Sequence, residues 1–97
     1  MKTQTKQISP EQVILNGEKH GSYISTELAD FLKKYTTKDD RDAVSRETGV
    51  GVYTVRNVAN RSNTLTEDNQ VAVLRLSKIA IENCKSSIDD LNLILNK

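Results

Sequence analysis

Thr48-Gly49-Val50-Gly51-Val52-Tyr53-Thr54-Val55-Arg56-Asn57-Val58-Ala59-Asn60 is the stretch on which the reading of this 97-residue chain turns. By propensity alone its β-branched residues and Tyr53 favour a strand. The spacing favours a helix, because Val52, Val55, Val58 and Ala59 recur on one side of a 3.6-residue period, over about residues 51–60. The segment upstream decides between the two. Thr37 stands as a helix cap, Asp39 and Asp40 fill the first turn, Ala43 and Val44 supply an apolar face, and Gly49 is placed as the stop. Two short helices joined by so brief a turn form a helix-turn-helix.

Such a corner makes three physical demands. The turn needs a residue at ease in the left-handed region, the first helix needs a small residue where the second crosses it, and apolar side chains must fill the angle. Gly49, Ser45 and the set Val44, Val50, Val55 and Val58 meet them. With Val55 and Val58 directed inward, Val52, Tyr53, Arg56 and Asn57 are left on the outer face of the second helix, where base edges would be met. Arg can hold guanine bidentately, Asn can hold adenine, and Val can pack on a thymine methyl.

The stretch resembles the helix-turn-helix of the Lac repressor family, whose motif runs Ala-Gly-Val-Ser-x-x-Thr-Val-Ser-x-Val-x-Asn. The agreement comprises Gly49, Val50, Thr54, Val55, Val58 and Asn60, and it covers residues 41–61. The resemblance implies that Val52, Tyr53 and Asn57 occupy base-reading positions, that Thr54 and Asn60 touch the DNA backbone, and that Arg56 flanks them. Arg61 follows directly as a further cation. Gly51 stands where the family has a Ser cap, residues 1–36 have no counterpart there, and no sugar-binding domain follows. The docking mode is therefore carried over and the effector biology is not. Small phage and mobile-element repressors of the lambda-repressor-like kind are the broader comparison.

Working outward, Leu28, Phe31, Leu32 and Tyr35 recur at helical spacing behind a cap at Ser25 or Thr26. Early Glu27 and Asp30 and late Lys33 and Lys34 match the helix dipole. Further upstream, residues 1–8 read as a disordered polar arm. Ser9-Pro10-Glu11-Gln12 can start a short helix closed by Asn16-Gly17, whereas Val13-Ile14 and Tyr23-Ile24 around Asn-Gly and His-Gly turns give a small hairpin over 12–25 as the rival. Downstream, Asn60 to Thr64 is a polar loop. Thr66 then caps a long helix within about residues 66–96, uninterrupted by Pro or Gly, of about 28 residues and so about 42 Å long. Residues 9–97 thus form one all-α domain of four to five helices.

Leu74, Ile81, Ile88 and Leu95 recur every seven residues in that last helix, with Ser77, Cys84 and Leu91 three places on. This is the seam of a coiled coil. Its first half carries extra apolar residues and should pack on the helix-turn-helix. Ile81, Cys84, Ile88, Leu91 and Leu95 are left to join a second copy, so a homodimer is expected.

The composition narrows the remaining classes. Aromatic residues are 4% of the chain and Trp is absent, so the core must come from Val, Ile and Leu. The net charge of +1 offers no general attraction to nucleic acid, but its distribution does. From Gly49 to Thr64 there are Arg56 and Arg61 and no acid, while from Leu65 onward acids outnumber bases. No apolar run spans a membrane and no signal peptide is present, which predicts a cytoplasmic protein. Cys84 and His20 provide no metal ligand set, Asp39 and Asp40 are explained by the helix dipole, and no catalytic triad surrounds His20. No enzyme activity, cofactor, metal or small-molecule ligand is expected. Double-stranded DNA is the expected partner, with a non-enzymatic protein-interaction or assembly module on the same scaffold as the alternative.

Overall fold

Ser25 opens the first helix, its hydroxyl accepting the Leu28 N–H at 3.1 Å from an extended backbone. Helix α1 then runs Thr26–Tyr35. The structure, a computed structural model, describes residues 17–95. Thr37 starts α2 (Lys38–Thr48) with a reciprocal box: its hydroxyl accepts the Asp40 N–H at 3.2 Å and the Asp40 carboxylate accepts the Thr37 N–H at 2.9 Å. Gly49 ends α2 in the left-handed region at φ 79°, its N–H on the Ser45 carbonyl at 2.9 Å. Helix α3 is Val52–Ala59, capped by Gly51, which has no side chain to offer. Its stability comes instead from burying Val55 and Val58.

At Gly49 an added Cβ would meet nothing within 4 Å, so only the backbone conformation selects glycine there. Gly49→Val is therefore expected to cost about 1 kcal/mol or more, and Gly49→Asn distinctly less, because Asn tolerates the left-handed region. Urea denaturation of the two variants gives the comparison. Equal losses would mean that something other than φ constrains the turn.

Helix α4 is Gln70–Leu95, four residues shorter at its start than the sequence predicts. Thr66 caps it as the sequence predicts, in a reciprocal box with the buried Asn69. Its N–H bonds the Thr66 hydroxyl at 3.2 Å, its side-chain oxygen accepts the Thr66 N–H at 2.8 Å, and its amide donates to the Thr64 carbonyl at 3.1 Å. Glu67 and Asp68 thus sit in a turn outside the helix. The described residues contain four helices and no strand, an all-α fold.

The expected hairpin over 12–25 does not form in its described part. Residues 17–25 are turn and irregular chain, held as a strap across the loop before α4. The Gly21 N–H donates to the Leu65 carbonyl at 2.7 Å, the Leu65 N–H to the Ser22 carbonyl at 2.9 Å, and Arg61 Nε to the Ile24 carbonyl at 2.8 Å. Backbone groups that a hairpin would have paired are satisfied there instead. The arm at 1–8 and the alternative short helix beginning near Ser9 lie outside the described residues.

The core is aliphatic, as the composition requires. Ile24 from the strap, Leu28 and Leu32 from α1, Val44 from α2, Val55 and Val58 from α3, and Leu65 meet Ala72, Val73, Leu76 and Ala80 of α4. Phe31 and Tyr35 pack at the edge with ring centroids 5.0 Å apart. The seven-residue stripe of α4 divides near Cys84. Ser77 is fully buried inside its own domain, its hydroxyl with no partner among the described residues, so it belongs to the core and not to an outward seam. Beyond Cys84 every described side chain of α4 is exposed, including Ile88 and Leu91.

Candidate nucleic-acid interface

Burying Val55 and Val58 fixes the rotation of α3 about its axis. At about 100° per residue, Tyr53, Arg56, Asn57 and Asn60 fall on the opposite side, with Val52 and Thr54 on the two flanks. The burial pattern agrees: Tyr53 is 70% exposed, Arg56 and Asn60 are exposed, and Val52, Thr54 and Asn57 are half-buried. Arg56 lies over the Tyr53 ring, its guanidinium carbon 5.3 Å from the centroid, which is within cation–π range.

Two depressions flank this face. In one, α1, α2 and α3 with the residues just after it bring together Lys33, Arg41, Arg56 and Arg61, with Asp30 as the acid. The other lies between α2 and the start of α3, lined by Lys38, Arg41, Asp42, Val52, Tyr53 and Arg56. Arg41 and Arg56 border both. Neither the Lys33 nor the Arg41 side chain has an ion pair or hydrogen bond among the described residues. The acids nearby are partly answered: Asp42 pairs with Lys38 at 3.1 Å, and Glu47 turns to Arg75 of α4 at 2.7 Å. That hydrogen bond raises the Arg75 pKa further above its ordinary value, so the guanidinium stays charged.

Two of the sequence-derived residues have other work. Asn60 accepts the Ser62 N–H on its side-chain oxygen at 3.0 Å, which leaves its amide as the group that can reach outward. Arg61 is the one non-glycine residue with positive φ among those described, at 65°. It ties Ile24 through Nε and lies 5.8 Å from the Tyr23 ring centroid, so its first role is to hold the strap. Arg46 borders neither depression. Lys33 and Arg41 are the members that motif reading passes over. Lys33 looked like a dipole partner of α1, yet burying Leu32 against the core turns its neighbour toward α3.

Among the described residues no group of His, Cys, Asp and Glu is arranged to hold a metal, and no helix is long and apolar enough to cross a membrane. Comparison with protein families, curated proteins and solved structures gives no match to this chain.

Proposed function

We propose that this chain is a sequence-specific DNA-binding protein that regulates transcription by placing α3 in the major groove. The observation that carries the reading is the row of cations with no carboxylate partner among the described residues, Lys33, Arg41 and Arg56, bordering the face that carries Tyr53, Asn57 and Asn60. Phosphates lie on both sides of a groove that a recognition helix enters, so flanking cations and a central polar face are what docking requires. The likeness of residues 41–61 to the Lac repressor motif supports the same orientation, with Val52, Tyr53 and Asn57 toward the bases and Thr54 toward the backbone.

A protein-interaction module on the same corner is favoured by one observation, the presence of Asp30 and Asp42 beside those cations. Selection of bound fragments from a random duplex library separates the two readings, since only the first enriches a sequence. Arg56→Ala and Asn57→Ala are each expected to weaken the selected duplex by about 1–3 kcal/mol with the fold intact, because both residues point away from the core. Anisotropy titrations with matched and mismatched duplexes measure this. A drop in melting temperature accompanying the loss would place the face in the core and end the proposal.

A further inference from the structure

We infer that the far half of α4 pairs with a second copy of this chain as a parallel two-stranded coil, with Cys84 facing its own counterpart across the two-fold axis. The inference stands independently of what α3 binds. Past Cys84, Ile88, Leu91, Ile94 and Leu95 are 53%, 54%, 64% and 71% exposed. Ile81, Cys84, Ile88, Leu91 and Leu95 share one stripe at heptad spacing, which prolongs the side of α4 that is already buried in the domain.

The occupant follows from charge and residue type. Glu82, Asp89 and Asp90 lie on the other side of the helix. In a parallel pair Asn92 would face Ser87 of the copy, so no like charges meet at the flanks beyond Cys84. Ile81 and Ile88 at one core position with Leu91 at the other is the pattern that favours two parallel strands. The exposed aliphatic side chains, at on the order of 100 Å² each, bury on the order of 1,000 Å² in a pair, at the lower limit for a specific interface. The pair is therefore expected to form reversibly at micromolar concentration.

Sedimentation equilibrium of the whole reduced chain without DNA, from about 1 to 100 µM, is the first measurement. A monomer–dimer equilibrium is expected, and Ile88→Glu and Leu91→Glu are expected to weaken it at least 10-fold. Because these side chains are more than half exposed and outside the core cluster, the variants should keep the wild-type melting temperature at low concentration. Copper-catalysed oxidation by dissolved oxygen, which takes two protons and two electrons from a pair of thiols, should link Cys84 to its counterpart. The thiols of a parallel layer fall within the about 4.4–6.8 Å Cα separation that a disulfide spans. A chain monomeric throughout the range, or a dimer indifferent to both substitutions, overturns the pairing. A dimer in which Cys84 does not link faster than in Leu91→Glu overturns the parallel arrangement.

Discussion

Leu76→Ala is expected to cost about 2–5 kcal/mol of folding stability, whereas Leu91→Ala, fifteen residues further along the same helix, should cost almost nothing at low protein concentration. Leu76 is 1% exposed and packs in the cluster with Val44 and Val55, so truncation removes buried methyl groups and leaves a cavity that helices on several sides cannot close. Leu91 is 54% exposed, with no described partner in its own domain, so truncation takes little out of contact. The two substitutions are chemically identical and share one helix, so propensity cancels and burial alone separates them. Urea denaturation at about 1 µM measures both. Comparable losses would mean that the far half of α4 is packed against its own domain.

The second large effect is on binding. The double variant Arg41→Glu/Arg56→Glu is expected to lose at least about 100-fold in affinity for the selected duplex, and the corresponding double alanine variant to lower the salt slope by about 2. The two guanidiniums border both depressions beside α3, and neither is engaged by a carboxylate among the described residues. Reversing them therefore puts negative charge where phosphates would approach, and the one contact it removes among the described residues is the exposed stacking of Arg56 on Tyr53. Anisotropy titrations over a range of salt, alongside thermal melts, separate the electrostatic loss from unfolding. An unchanged salt slope in the alanine variant would show that nucleic acid, if bound, is bound elsewhere.

What could be read from the sequence is what depends on neighbours along the chain. The Thr37 cap, the stop at Gly49 and the inward face of Val55 and Val58 are all settled within four or five residues, and each is found where spacing placed it. The valine-rich α3 is a helix against its own propensity because α2 and its turn leave it no strand partner. The departures arise where distant segments decide. The strap at 17–25 owes its form to Leu65 and Arg61, about forty residues away, and no local pattern announces those bonds. On the candidate interface, Tyr53, Arg56 and Asn57 were legible from periodicity, while Lys33 and Arg41 join them only through the packing of α1 and α2 around α3.

The unbroken length of α4 has a mechanical consequence. With neither Pro nor Gly from Gln70 to Leu95, it is a single stiff rod of about 39 Å whose near end is bolted into the core and whose far end is bare. For two copies joined at the far end, about 10° of splay there swings each body by about 7 Å, the rise of two base pairs. The spacing between two copies of α3 is then governed by the angle at a seam far from either, and whatever tightens or loosens that seam acts as the lever that tunes it.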